Sequence, residues 1–105
     1  MTGEALKGHL DLLLLSVLLN GPAHGYAIIE SLRARSADVF DLPEGTVYPA
    51  LHRLENQGLL KSVWSEDSGR RKRVYQLTPK GQQALSIRQD EWLKFSKAVN
   101  TTVGL

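Results

Sequence analysis

The sequence predicts a mainly α-helical domain with a small β-hairpin, a fold of the α+β class. Apolar residues recur at spacings of three and four along four segments, which is the periodicity of amphipathic helices. Between the third and fourth segments lie two short runs that contain valine and aromatic residues, with a polar, glycine-containing stretch between them. Such a pair of runs is typical of a β-hairpin. The predicted order of elements is therefore α-α-α-β-β-α.

The composition is that of one small folded domain. The chain has 105 residues, of which 42% are hydrophobic and 23% are charged, enough to bury a core. A domain of this size buries a modest fraction of its surface, so a partner subunit would stabilise it. The net charge is only +2, so only the distribution of charge can argue for nucleic-acid binding. The absence of cysteine excludes disulfides, thiol catalysis and cysteine-ligated metal sites.

Two helices are predicted in the first third of the chain. The first covers residues 5–19 and is ended by Asn20-Gly21-Pro22, because proline cannot continue a helix. The apolar run at 10–19 is too short to span a bilayer and contains Asp11, so we expect a buried core helix of a cytoplasmic protein. The second helix is predicted over residues 24–36, with an apolar stripe of Ala27, Ile28 and Leu32.

The third helix is predicted over residues 46–57 and has two unlike faces. Thr46 is the expected N-cap, which places Pro49 in the first turn, where a missing N–H costs no helical hydrogen bond. A start near Glu44 is the alternative, and it would place the proline less comfortably. The apolar face carries Val47, Leu51 and Leu54, and the polar face carries Thr46, Tyr48, His52, Arg53 and Asn56.

The hairpin is predicted from the runs at 59–65 and 73–78, with a long loop between them. Arg70, Arg71, Lys72 and Arg73 place four positive charges in a row on this loop and its exit. Three helices followed by a hairpin is the element order of a winged helix-turn-helix, in which the third helix enters the DNA major groove. The polar face would then contact DNA and the basic run would contact phosphates or the minor groove. An amphipathic surface helix and a solvated loop are the simpler interpretations.

The last helix is predicted over residues 79–99, with Thr78 as N-cap and Pro79 at its first position. Its apolar seam consists of Leu85, Trp92, Phe95 and Val99, and we expect the seam to pack on a second copy of the chain in a two-fold homodimer. Alternatively, paired Trp92 side chains line a cavity that stacks a flat aromatic ligand. Residues 1–78 would form the DNA-binding part and residues 79–105 the dimerisation part of one compact unit.

Other chemistry finds little support in the sequence. No pair among His9, His24 and His52 has metal-ligand spacing on a helix, and we expect His9 and His24 to cap a helix or to hydrogen-bond locally. No nucleophile elbow or glycine-rich phosphate loop is present. We therefore predict no metal, no cofactor and no enzymatic activity.

Three segments resemble the PadR family of bacterial transcriptional regulators: GHLDLLLLSVLLNGPAHGYAI, DLPEGTVYPALHRLENQGLL and GRRKRVYQLTPKG. The resemblance covers residues 6–95. It implies a dimeric winged helix-turn-helix repressor in which the GTVYPALHRLE segment is the recognition helix and the basic hairpin is the wing. DNA contacts are thereby implied for Thr46, Tyr48, Pro49, His52 and Arg53, and for Arg70, Arg71, Lys72 and Arg73.

The chain resembles the short members of that family, since one helix stands where longer members carry a multi-helix C-terminal domain. Some short members take planar aromatic molecules, so the resemblance also implies a possible effector of that class. Two other functions stay open at this point. One is a winged-helix module that binds protein, suggested by the acidic residues Asp38, Asp41 and Glu44. The other is a small-molecule or metal sensor with secondary DNA binding.

Overall fold

The structure, a computed structural model, describes residue 6, residues 8–67 and residues 69–105. Within these ranges the chain forms four helices and a three-stranded antiparallel sheet, which confirms the predicted α+β class. The elements are α1 (Leu10–Leu18), β1 (Ala23–His24), α2 (Gly25–Arg35), α3 (Glu44–Asn56), β2 (Leu60–Asp67), β3 (Arg70–Leu77) and α4 (Pro79–Val103).

Helix α1 is shorter than predicted because the backbone turns ahead of it. Gly8 has φ +87°, a left-handed conformation that interrupts a helix, and the His9 N–H donates to the Leu6 carbonyl at 2.8 Å. The helix begins at Leu10 rather than at residue 5; residues 5 and 7 of the predicted helix lie outside the described residues. Its end at Leu18, ahead of Gly21 with φ +138°, agrees with the prediction.

Helix α2 is capped by a histidine, as the local role of His24 predicted. The His24 Nδ1 accepts from the Ala27 N–H at 3.2 Å, which satisfies one of the donors that the first turn leaves without a partner. Ala23 and His24 also form the short strand β1, which the sequence did not predict. They pair with Tyr75 and Val74 of β3, so the sheet order is β1-β3-β2.

Helix α3 starts two residues earlier than its main prediction. Its N-cap is Pro43, whose carbonyl accepts from the N–H groups of Thr46 at 3.0 Å and Val47 at 3.2 Å, so Thr46 is a helical residue and not the cap. Pro49 consequently lies inside the helix, where it offers no N–H to the Gly45 carbonyl four residues earlier. The alternative start near Glu44 is the correct one.

The hairpin has longer strands and a shorter loop than predicted. Leu60 pairs with Leu77 at one end and Asp67 with Arg70 at the other, so only residues 68 and 69 connect β2 and β3. The basic run lies in β3 rather than in a loop. The residues paired with the basic run explain why the strands are longer than predicted. Arg71 lies opposite Glu66, and opposite charges on paired strands stabilise their pairing.

The core lies between the first three helices, the sheet and the start of α4. Its fully buried side chains are Leu14, Leu15, Ile28, Val47, Leu51, Leu54, Leu60 and Tyr75. Leu85 of α4 joins the same cluster. No helix in the described ranges combines the length and the hydropathy that a membrane crossing requires.

Helix α4 is attached to the end of α3 through its first turn. Thr78 caps it as predicted, since its Oγ1 accepts from the Gly81 N–H at 3.0 Å and donates to the Gly58 carbonyl at 2.7 Å. Lys80 Nζ donates to the Gln57 carbonyl at 3.0 Å. Gly81 approaches the backbone just ahead of β2 so closely that a Cβ would lie 2.0 Å from the Leu59 carbonyl oxygen. The helix then runs to Val103, four residues beyond the predicted end.

Candidate nucleic-acid interface

The surface of α3 divides into a buried strip, an outer strip and two flanks. Val47, Ala50, Leu51 and Leu54 are buried. With 3.6 residues per turn, the residues opposite them are Gly45, Pro49, His52 and Asn56, all exposed; we call these the outer strip. Tyr48 and Glu55 lie on the flank toward the hairpin, and Thr46 and Arg53 on the flank toward α1. The residues predicted to contact DNA therefore do not form one patch.

The hairpin flank opens into a groove of about 650 Å³ between α2, α3 and the hairpin. Tyr48 is half-buried there and lies against the first residue of α2. A Cβ on Gly25 would stand 2.5 Å from the Tyr48 ring, so glycine at this position lets the ring lie flat on α2. The groove is lined by His24, Gly25, Tyr26, Tyr48, His52, Trp64, Arg70, Arg71, Lys72, Arg73 and Tyr75.

Burial raises the pKa of the Tyr48 phenol above its ordinary value of 10.0, and the nearby Glu44 carboxylate raises it further. The hydroxyl therefore keeps its proton throughout the neutral range. A protonated phenol at the edge of a basic groove can donate a hydrogen bond to an anion such as a phosphate oxygen.

Trp64 lies against two of the basic residues of the hairpin, which no sequence pattern predicted. The Arg71 guanidinium lies 4.6 Å from the Trp64 ring centroid and that of Arg73 lies 5.4 Å away, which are cation–π distances. Because successive residues of a strand point to opposite faces, Arg71 and Arg73 share this face while Arg70 and Lys72 belong to the other.

Arg73 also ties the hairpin to α3. Its Nε donates to the Ser62 hydroxyl at 2.6 Å, and its Nη2 lies 3.6 Å from the Glu55 carboxylate, which accepts from the same hydroxyl. One hydrogen bond and one ion pair of Arg73 thus serve the fold. Among the four basic residues, Arg73 is the one whose position is fixed most firmly by the rest of the molecule.

The opposite flank of α3 opens into a second depression, of about 320 Å³. Arg53 donates a bidentate pair of hydrogen bonds to the Asp11 carboxylate of α1 there, with Nη1–Oδ2 at 2.9 Å and Nη2–Oδ1 at 2.6 Å. These bonds raise the pKa of Arg53, which is fully charged at any physiological pH. Arg88 of α4 also reaches Asp11, at 3.5 Å. Neither Asp11 nor Arg88 was predicted to belong to the site.

The predicted seam on α4 separates into two parts. Leu85 packs into the chain's own core and leaves almost no surface for a partner, so its assignment to the dimer seam is wrong. Trp92, Phe95 and Val99 are exposed. His9 packs edge-on against Trp92 with ring centroids 5.0 Å apart, and a cavity of about 270 Å³ lies beside this pair.

Among the described residues, no three histidine or acidic side chains converge in a way that could hold a metal ion. The polar groups of the site instead consist of arginines, a lysine, tyrosines and histidines around open grooves. Such groups bind phosphates and base edges.

Comparisons with known proteins agree on one class. Residues 14–87 match the family described as "Transcriptional regulator PadR-like family". A transcriptional regulator from Clostridium thermocellum is 30% identical and superimposes with a TM-score of 0.87, over 96% of each chain. A PadR family transcription regulator from Clostridium difficile R20291 is 37% identical with a TM-score of 0.78, over 91% of this chain and 99% of that one. Transcriptional regulator Rv3488 from Mycobacterium tuberculosis is 43% identical over 63 residues, 60% of this chain and 56% of that protein.

Proposed function

The chain belongs to the PadR-like family of transcriptional regulators, which are not enzymes, and from this premise we propose that it binds double-stranded DNA as a homodimer and represses transcription in the cytoplasm. The observation that carries the proposal is the groove between α3 and the hairpin. It combines an exposed helix surface that fits a major groove with four consecutive cationic residues beside it, Arg70 to Arg73.

In the proposed complex the outer strip of α3 enters the major groove. His52 and Asn56 are the members of the strip that can hydrogen-bond to base edges, and Pro49 and Gly45 let the helix backbone approach closely. Tyr48 would donate to a phosphate from the side of the groove. Arg70 and Arg71, at the tip of the hairpin, would contact the backbone or the adjacent minor groove.

The homodimer would form through the exposed stripe of α4, defined by Trp92, Phe95 and Val99. Two-fold symmetry then places two α3 helices in successive major grooves, about 34–36 Å apart, on a pseudo-palindromic operator. A planar aromatic effector in the cavity beside His9 and Trp92 would release DNA only if it bound more tightly to a dimer with a different spacing.

The test is a fluorescence-anisotropy titration with a fragment of the protein's own promoter and a scrambled duplex, each at two salt concentrations. We expect the promoter fragment to bind more tightly and affinity for both duplexes to fall steeply with salt, because released counterions drive binding. Tyr48→Ala and Arg71→Ala should each weaken promoter binding. Lys97→Ala, an exposed cation on α4, is the charge-matched control for Arg71→Ala.

Equal promoter affinity for the unaltered protein, Tyr48→Ala and Arg71→Ala would contradict the DNA-contact assignment. Weak and equal binding of both duplexes would instead favour a winged-helix module that binds another protein through the same groove. Circular dichroism of each variant shows whether the fold is retained.

A further inference from the structure

Asp11 joins three helices that have different roles in the proposed function. It projects from the first turn of α1, accepts two hydrogen bonds from Arg53 of α3, and lies 3.5 Å from the guanidinium of Arg88 of α4. Its side chain is only 15% exposed, whereas those of Arg53 and Arg88 are 47% and 35% exposed. The acid is thus covered by the two bases, and the bases face the solvent.

This cluster retains a positive charge and donor capacity. Two guanidiniums and one carboxylate leave a net charge of +1. An arginine has five N–H donors, and a two-pronged bond to a carboxylate uses two of them. Arg53 and Arg88 line the same 320 Å³ depression, and Thr46 adds a hydroxyl to it from the first half of α3. These are the groups that bind a phosphate.

The position of the depression relates it to DNA. It lies on the flank of α3 opposite the hairpin, with the outer strip of α3 between the two. A duplex that takes the outer strip into its major groove has one phosphate backbone on each side of that helix. One backbone would meet the hairpin, and the other would meet Thr46, Arg53 and Arg88.

We propose that Thr46, Arg53 and Arg88 form a second phosphate-binding site of the DNA interface, and that Asp11 is its positioning residue. The inference rests on the proposed function and extends the interface to α4, a helix otherwise assigned to dimerisation. Asp11 holds two guanidiniums side by side that would otherwise repel each other, and it fixes the Arg53 fork before DNA arrives.

Asp11→Asn separates this role from simple electrostatics by the sign of its effect. Removal of an acid makes the protein more positive, and charge alone therefore predicts tighter DNA binding. The positioning role predicts weaker binding, because both arginines lose the group that orients them. We expect affinity to fall about tenfold, the size expected for one lost charge-assisted hydrogen bond to phosphate.

The experiment measures binding of the full chain to a random-sequence 30-base-pair duplex, and to a duplex selected by the unaltered protein from a random pool, across a salt series. Since phosphate contacts carry no sequence information, Asp11→Asn should weaken both duplexes equally. The slope of log affinity against log salt should become shallower by roughly 0.9 for each lost phosphate contact. Asp90→Asn, an exposed acid on α4, is the charge-matched control and should not weaken binding.

Arg88→Gln provides a second variant that leaves α1 intact. It should reduce the salt slope by roughly 0.9 and weaken both duplexes, although the residue lies outside α3 and the hairpin. Lost folding alone lowers the active fraction of protein but does not change the salt slope, so a poorly folded Asp11→Asn sample is recognised from the slope and from its melting curve.

Unchanged or tighter binding by Asp11→Asn, with an unchanged slope for Arg88→Gln, would overturn the second phosphate site and leave the proposed function in place. Arg70→Ala distinguishes the two failures, because it tests the hairpin independently. If the unaltered protein shows no salt-dependent affinity for either duplex, the proposed function fails and this inference fails with it.

Discussion

Helices α1 and α4 both carry large apolar side chains, but α1 buries most of them and α4 leaves most of them exposed. Leu14 and Leu15 of α1 are fully buried by the rest of the chain. On α4 the only large apolar side chain that is buried is Leu85, at 2% exposure, while Trp92 and Phe95 farther along the helix are 43% and 55% exposed. The chain therefore completes its own core up to the second turn of α4 and leaves the remainder of that helix uncovered.

This difference separates the residues that hold the fold from those available for association. The described part of the chain measures 53 × 28 × 21 Å, and the long dimension reflects the uncovered end of α4. Exposed aromatic side chains in a continuous stripe are a feature of interfaces rather than of monomer surfaces. Substitutions in the buried first turns of α4 should consequently lower the stability of the fold, whereas substitutions in its exposed remainder should weaken association.

The largest expected effect is that of Gly81→Ala, at the junction of α4 with the domain. The added methyl group would lie 2.0 Å from the Leu59 carbonyl oxygen, so the helix has to move away from β2. We expect a loss of about 3 kcal/mol in the free energy of unfolding, measured by urea denaturation. Gly45→Ala is the matched control: it meets no atom within 4 Å and should stabilise α3 by about 0.5 kcal/mol.

Leu85→Ala should have the next largest effect. It tests whether Leu85 packs in the core of its own chain or against a partner subunit. Removal of a fully buried leucine should cost about 2.5 kcal/mol of unfolding free energy. The loss should be the same at every protein concentration, because the cavity lies inside one chain. A loss confined to high concentration would place Leu85 in an intersubunit contact after all.

Trp92→Ala should have its main effect on association. Truncation of a central interface aromatic typically weakens a complex by at least about tenfold, or 1.4 kcal/mol. Sedimentation equilibrium should therefore show a shift toward monomer, with helix content unchanged. Lys94→Ala, an exposed polar neighbour on the same helix, should leave the equilibrium as it is. An unaltered dimer in Trp92→Ala would remove the exposed stripe from the interface.

The smallest effect concerns alkaline pH. Burial raises the pKa of Tyr75 above its usual 10.0. The folded protein therefore holds the phenol proton more tightly than the unfolded chain, and the stability that this gives is complete below pH 10 and decreases as the pH rises above it. Tyr75→Phe should show a shallower alkaline decline in melting temperature than the unaltered protein. Equal declines would contradict the role of the buried phenol.

The sequence was sufficient for most of the fold, because its signals are local. Apolar periodicity located α1, α2, α3 and α4. Thr78 was predicted to be the N-cap of α4, and its side chain makes that capping hydrogen bond in the structure. The errors lie where local signals conflict. Pro49 argued for a late start of α3, but the helix tolerates it, and Gly8 delays the start of α1 to Leu10 although its neighbours are compatible with a helix.

The candidate site was harder to predict because its contacts are distant in sequence. Periodicity placed Thr46, Tyr48 and Arg53 on one polar face, yet Tyr48 turns to the hairpin and Arg53 to α1. Asp11 and Arg53 are 42 positions apart, and neither spacing nor composition indicates their pairing. Trp64 likewise gains its arginine neighbours only through the register of the hairpin.

The attachment of α4 to α3 has a mechanical consequence. Hydrogen bonds from Thr78 and Lys80 to the carbonyls that follow α3, together with the close contact at Gly81, join the two helices at one end. A helix of 25 residues is about 37 Å long, so in a dimer clasped at the far end of α4 a tilt of about 8° would swing α3 by about 5 Å. A small change in the packing of the two α4 helices would therefore change the spacing of the two α3 helices, so that they no longer match successive major grooves of a duplex.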